Sequence, residues 1–319
     1  MKRIVKGLGW TLIGLIAVLV VAFIAFQRGD IPYATLEAKY AAQTSHFVDL
    51  PGGVHAHYRD EGFAAGPVIV LVHGYSASAV DWDQWAARLG DRYRIIALDL
   101  PGHGLTRAPA GYASSGAAQV AVVDQLATAL GLKTFVIGGN SMGGGVAWRY
   151  ALAHGERLNG LILVDAAGWP RQGDGKNGAL IFKLLASPLA RPIIKNLDNS
   201  ALTKQGLEAA FVDKTLVTPA LVRRYTDFSR APGHRDILIA RPDFAYATPQ
   251  ALAAIKVPTL IMFGQEDRLI PSGDAARFGA AISGSTVIVY PGVGHVPMEQ
   301  IPDKSAADVR AWLAKHGVG

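Results

Sequence analysis

Ser141 stands in the stretch Gly139-Asn140-Ser141-Met142-Gly143, directly after the apolar run TFVIG and directly before MGGGVAWRYALAH. A serine hydroxyl is a weak nucleophile until a base takes its proton. A serine forced into a tight strand-to-helix turn has its hydroxyl lifted off the sheet edge. Its neighbours two residues away must be small for the turn to close, which is the physical content of G-x-S-x-G. The following helix aims free N–H groups and a positive dipole end at the same place. A phosphate loop would need a lysine after its glycines, and none follows these. A dinucleotide fingerprint would need G-x-G-x-x-G after the first strand of a βαβ unit, and that is also missing.

The base and its orienting carboxylate are expected later in the chain, in the order Ser, acid, His. GVGHVPMEQ supplies His295 and GQEDRLIP supplies Asp267, each just after an apolar run. Glu266, Asp274 and Asp165 compete as the acid, and Asp165 closes the strand GLILVDA. Serine attack builds negative charge on the substrate oxygen, so backbone N–H donors must wait there. The expected donors are Met142 N–H and Tyr75 N–H, the latter from the loop LVHGYSAS, with Ser76 as alternative. Of the remaining histidines, His55 and His57 lie in an early hairpin and read as surface or edge residues. His73 and His103 read as architectural loop residues, and His154 as a helix C-terminal residue. No H-E-x-x-H or comparable cluster occurs, so neither a metal nor a cofactor is expected.

Short Val/Ile/Leu runs must position these groups: PVIVLV, RIIALDL, FVIGG, GLILVDA, VPTLIMFG and STVIVY. Such runs suit a parallel sheet covered on both faces. HFVDL and VHAHYRD, split by PGG, read as an antiparallel hairpin before them. Helical stretches alternate with the strands, so the fold expected is α/β, a doubly wound, mostly parallel sheet. From about 169 to 248 the strand signal lapses into proline-punctuated helical pieces. This stretch is read as a helical cap inserted after the sixth strand, within a catalytic domain spanning 46–319.

The chain has 319 residues, half of them hydrophobic, no cysteine, and a net charge of +6 without a basic stripe. Disulfides and thiolate chemistry are excluded, and nucleic acid is not an expected partner. At the amino terminus, Lys2, Arg3 and Lys6 precede an uncharged run from Leu8 to Phe26. A helix of that length covers roughly 28 Å, close to a bilayer's hydrocarbon core. Residues 1–28 are therefore read as an uncleaved membrane anchor, the alternative being a cleavable signal peptide, whose apolar region is usually shorter and ends at a small-x-small site not seen here; 29–45 are read as a linker or short helix. The positive-inside tendency places the bulk of the chain on the periplasmic or extracytoplasmic side.

Taken in order, LVHGYSASAVDWDQW, ALDLPGHGLT, GGNSMGGGVAWRYA, GQEDRLIP and GVGHVPMEQIP resemble the α/β-hydrolase superfamily. The resemblance runs from about residue 46 to the end, most of the cap excepted. It implies Ser141, Asp267 and His295 as nucleophile, acid and base, and Tyr75 and Met142 as oxyanion donors. Behind an amino-terminal membrane helix, HGYSAS, DLPGHG and SMGG look like anchored monoacylglycerol lipases and related bacterial esterases. GNSMGG is also similar to serine hydrolases that cleave carbon–carbon bonds in ring-cleavage products. Those often carry tryptophan after the catalytic histidine, where this chain has Val296-Pro297. Dehalogenases and epoxide hydrolases share the scaffold but use aspartate at the position of Ser141.

The resulting expectation is a membrane-anchored serine esterase or lipase acting on a small-molecule ester or lipid through an acyl-enzyme. Meta-cleavage carbon–carbon hydrolysis and a triad-bearing ligand-binding protein are the alternatives.

Overall fold

The computed structural model describes residues 23–170, 195–240 and 245–318, with isolated positions between 10 and 21 and between 187 and 191. Eight strands form one sheet in the order β1-β2-β4-β3-β5-β6-β7-β8. They are β1 (Ser45–Leu50), β2 (Val54–Gly62), β3 (Val68–Val72), β4 (Arg94–Leu98), β5 (Phe135–Asn140), β6 (Leu158–Val164), β7 (Thr259–Gly264) and β8 (Thr286–Tyr290). β1 pairs antiparallel with β2, and β2 antiparallel with β4. Every other pairing is parallel.

The apolar runs explain this arrangement. Every residue of β5 and β7 is buried, as an inner strand covered on both faces requires. β8 departs from the sequence expectation of a uniformly buried strand. Val287 and Val289 are exposed while Tyr290 is buried, because β8 closes the sheet edge and is covered on one side only. Its apolar composition does not distinguish an edge from an interior position.

Helices α1 (Tyr33–Tyr40), α2 (Asp83–Leu89), α3 (Gly116–Ala129) and α4 (Met142–Ala153) occupy the first half. Between β6 and β7 the described residues carry α5 (Ser200–Ala210), α6 (Pro219–Ser229), α7 (His234–Ile239) and a one-turn helix at Pro249–Leu252, and no strand. α8 (Gly273–Ala281) and α9 (Pro302–Lys315) complete the chain. Two cores lie on opposite faces of the sheet. One packs Val123, Val146 and Phe278 from α3, α4 and α8 against β5 and β7. The other packs Trp82, Trp85 and Leu89 with Val309 and Leu313 of α9.

No helix among the described residues is long and apolar enough to cross a membrane. Part of the Leu8–Phe26 run lies outside the described residues. Its described members Val18, Val21 and Ile24 are exposed apolar residues. Most of the cap segment ALIFKLLASPLARPII likewise lies outside the described residues. The chain after Phe26 is stitched to the helical region: Arg28 N–H donates to Asn196 O at 2.7 Å, Asp198 N–H to Phe26 O at 2.8 Å, and Ile31 N–H to Arg230 O at 2.8 Å. In α1, Leu36 packs with Leu105, Phe228 and Ala231.

Trp85 is fully buried and its indole N–H donates to Ser305 Oγ at 2.9 Å, tying α2 to α9. Trp85→Ala would empty a large packed volume and remove the indole donor, leaving the Ser305 hydroxyl only its bonds to backbone carbonyls such as Pro297 O. It is expected to cost about 3–5 kcal/mol in urea denaturation, and Trp85→Phe distinctly less.

Candidate active site

β5 delivers Ser141 to the carboxyl edge of the sheet, and α4 begins at the next residue. Ser141 has φ 55° and ψ −117°, a backbone state that L-residues rarely adopt. Surrounding contacts impose it. A Cβ added at Gly139 would collide with the Gly143 carbonyl, and one at Gly143 with the carbonyls of Val72 and His73. The two glycines thus let three backbone segments close on the serine. Ser141 N–H donates to Val164 O at 3.0 Å, and Ser141 O accepts from Ala167 N–H at 2.9 Å, so the turn is locked to the end of β6.

The loop after β3 reaches the same point: a Cβ at Gly74 would stand 3.3 Å from Ser141 Cβ. His73 Nε2 accepts the Leu100 N–H at 3.0 Å, which leaves Nδ1 as the donor to Gly74 O at 2.7 Å. A trans peptide points its C=O and N–H in opposite directions. Holding the Gly74 carbonyl toward His73 therefore turns the Tyr75 N–H away from it. Neither Tyr75 N–H nor Met142 N–H finds an acceptor among the described residues. The Tyr75 hydroxyl donates to Leu238 O on α7 at 2.6 Å, joining this loop to the inserted helices.

His295 follows β8 and Asp267 follows β7. His295 Nδ1 and Asp267 Oδ2 are 2.6 Å apart. Asp267 Oδ1 accepts the N–H groups of Leu269 at 2.7 Å and Ile270 at 3.0 Å, which fixes the carboxylate plane. Both side chains are buried. Of the competing acids, Glu266 accepts the Val293 N–H and Asp274 pairs with Arg277, both away from His295. Asp165 lies beside Asp267, and a carboxylate oxygen of each and a ring nitrogen of His295 all fall within 4.8 Å of one another. Burial foremost, and then the Asp267 charge, push the Asp165 carboxyl well above the usual carboxylate range.

Among the described residues no hydrogen bond joins Ser141 Oγ to His295; the two are coupled through Asn140. Its side-chain amide donates to His295 O at 2.9 Å and to Val164 O at 3.2 Å. The His295 N–H donates to Ala210 O, the last residue of α5, at 2.8 Å. Sequence reasoning missed both contacts. Asn140 was visible only as the variable position of G-x-S-x-G, and nothing in the sequence marks Ala210. His57 also corrects an expectation: it is buried rather than at the surface. β1 and β4 flank its strand, and its Nδ1 meets the buried Asp99 Oδ2 at 2.6 Å while Nε2 meets Ser45 Oγ at 2.8 Å.

A cavity of about 270 Å³ opens at Ser141, lined by Tyr75, Met142, Ala167, Trp169, Tyr246 and Ile270 among others. Its wall is mostly apolar, and Ser141, Tyr75 and Met142 all border it. That arrangement can hold an apolar chain beside a polar reacting group. A larger hollow of about 710 Å³, lined by Arg59, Arg224 and Glu299, does not include Ser141.

A sequence model of the alpha/beta hydrolase family matches residues 69–309, and the chain belongs to that family. It is 29% identical over 273 residues to a 2-hydroxy-6-oxo-6-phenylhexa-2,4-dienoate hydrolase of Burkholderia cepacia, covering 79% of this chain and 90% of that protein. The structure of a membrane phospholipase A, described as a bacterial virulence factor, aligns over the whole of both chains with a TM-score of 0.73 and 26% identity. An esterase from Thermogutta terrifontis aligns over 86% of this chain and 99% of its own, with a TM-score of 0.71 and 26% identity.

Gly143→Ala tests the steric origin of the turn. It is expected to destabilise by at least about 1–3 kcal/mol, since backbone rather than a flexible side chain must yield. It should also abolish labelling of the protein by a fluorophosphonate. Full labelling at wild-type stability would mean that the turn does not depend on this contact.

Proposed function

We propose that the protein is a serine hydrolase of carboxylic esters, acting on a lipid-like acyl ester through an acyl-enzyme. The observation that carries this reading is the strained Ser141 at the mouth of an apolar cavity, latched by Asn140 to the backbone of an Asp267-paired histidine. Ser141 Oγ attacks the ester carbonyl carbon as its proton passes to His295 Nε2. Apo geometry need not already hold that hydrogen bond, which commonly tightens when substrate binds. The oxyanion is met by the N–H groups of Tyr75 and Met142, and one such donor contributes about 3–4 kcal/mol to lowering the barrier. Asp267 holds His295 in the tautomer that leaves Nε2 free and offsets the imidazolium charge. The proton on His295 then goes to the departing alkoxide, releasing the alcohol. Water, deprotonated by His295, cleaves the acyl-enzyme to the acid and restores Ser141.

A lipid ester as substrate is supported by the apolar cavity wall and by the full-length likeness to a membrane phospholipase A. Residues 1–28 act in this reading as a membrane anchor, with the catalytic domain on the extracytoplasmic side and the helices at about 169–248 as its cap. A second reading, carbon–carbon bond hydrolysis of a vinylogous diketone, is favoured by the dienoate hydrolase relative. Val296 in place of a tryptophan after the histidine weighs against it.

A panel of p-nitrophenyl esters, a phosphatidylglycerol and a ring-fission dienoate decides between the two. Ester turnover is expected, falling by at least about 10³-fold in Ser141→Ala. Dienoate turnover exceeding ester turnover by orders of magnitude would replace this reading with the second. For the anchor, the full chain is expected to pellet with membranes and a variant lacking residues 1–28 to remain in the supernatant. An alkaline phosphatase fused after Gln27 should be active, and inactivity there would reverse the orientation.

A further inference from the structure

Asp165 is a buried carboxyl beside Asp267 to which the proposed reaction gives no role, yet its position is costly. It is fully buried, and it holds φ 42°, a left-handed backbone state in a residue other than glycine. Its N–H donates to Met262 O at 2.8 Å, so the end of β6 is stitched to β7. Oδ1 accepts the Gly264 N–H at 2.9 Å. Oδ2 has no partner within 3.5 Å. The carboxyl nevertheless lies beside Asp267, with a side-chain oxygen of each within 4.8 Å of the other, so the Asp267 charge raises its proton affinity. Two carboxylates sealed together in one buried cluster cannot both be ionised at modest cost, so one must carry a proton. Asp267 is bound by three donors, His295 Nδ1 and the N–H groups of Leu269 and Ile270, all of which favour its charged form. Asp165 has a single backbone donor.

We propose that Asp165 is a positioning residue: a neutral carboxylic acid whose Oδ2–H is donated to the Asp267 carboxylate, steadying that carboxylate and tempering its pull on His295. The sequence offered Asp165 as a rival for the acid of the triad; here it is the acid's support. The groups facing it are Asp267 from the loop after β7, His295 from the loop after β8, and Tyr290 at the end of β8, whose hydroxyl donates to Asp308 of α9. Glu266, next to Asp267 in sequence, is turned to the Val293 N–H.

The role in turnover rests on the esterase reading, but the protonation state does not, and the test separates the two. Asp165→Asn keeps an acceptor for Gly264 and a donor for Asp267, and asparagine tolerates the left-handed backbone. It is expected to leave the acidic limb of the kcat/KM pH profile in place. Asp165→Val removes the donor, makes Asp267 more basic toward His295, and is expected to raise that limb by roughly half a unit or more with about a tenfold loss of kcat/KM.

Thermal unfolding needs no substrate. The unfolded chain ionises this aspartate above about pH 4, whereas the native protein keeps the proton. A raised folded-state pKa means that stability is lost as pH rises toward that value. Asparagine does not titrate, so the Tm advantage of Asp165→Asn over wild type should widen as pH rises above about 4, until the native carboxyl itself ionises. A Tm gap that stays flat with pH would show an ionised Asp165 and overturn the proposal. So would an acidic limb that Asp165→Asn lowers by about one unit, the signature of a removed negative charge. Should Asp165→Val fail to fold, both Asp165→Asn readouts still decide. Absence of ester turnover with a widening Tm gap would remove the esterase reading and leave the neutral carboxyl standing.

Discussion

The close approach of Gly139, Gly143 and the carbonyl end of β3 governs the rest of this structure. With no side chains between them, the end of β5, the start of α4 and the loop after β3 occupy a space that any Cβ would fill. Ser141 is left with a left-handed backbone and an outward hydroxyl. The same closure brings the Tyr75 loop against the serine, with the Gly74–Tyr75 peptide turned by His73. The strained serine and the approach of the Tyr75 loop are therefore two results of one steric fact. Strain of this kind, of order 1–3 kcal/mol, persists only where the surroundings over-determine it. Here the hydrogen bonds of Ser141 to Val164 and Ala167 do so.

The second half of the site is held from a distance. His295 and Asp267 arrive from the ends of β8 and β7, and their mutual hydrogen bond sets only their relation to each other. Their relation to Ser141 depends on Asn140, which spans from the turn to the His295 carbonyl, and on Ala210, which receives the His295 N–H from the inserted helices. The Tyr75 hydroxyl adds a third tie, from the loop after β3 to α7. The inserted helices are thus bonded to this cluster at two points: movement of α5 would reach His295, and movement of α7 would reach the Tyr75 loop.

What could be read from the sequence was what local rules dictate. The Val/Ile/Leu runs located the strands because inner parallel strands are buried on both faces, and the glycine spacing around Ser141 was readable because close approach forbids side chains. That Asp267 and His295 come together was readable because each lies within a few residues of such a run's end. The unread features depend on neighbours distant in the chain. β8 looks like an inner strand until its place at the edge is known. His57 looks like a hairpin surface residue until β4 brings Asp99 beneath it. Asn140 gains its meaning from a residue far along the chain, and Asp165 from the carboxylate that a neighbouring strand places beside it.

The claim on which everything else depends is that Ser141 carries a hydroxyl activated by His295. Peptide mapping by mass spectrometry after reaction with a fluorophosphonate tests it most directly. The adduct is expected on the peptide containing Ser141 in the wild-type chain and should be lost, or slowed by orders of magnitude, in His295→Ala. An adduct on any other residue, or undiminished modification of Ser141 without His295, would contradict it.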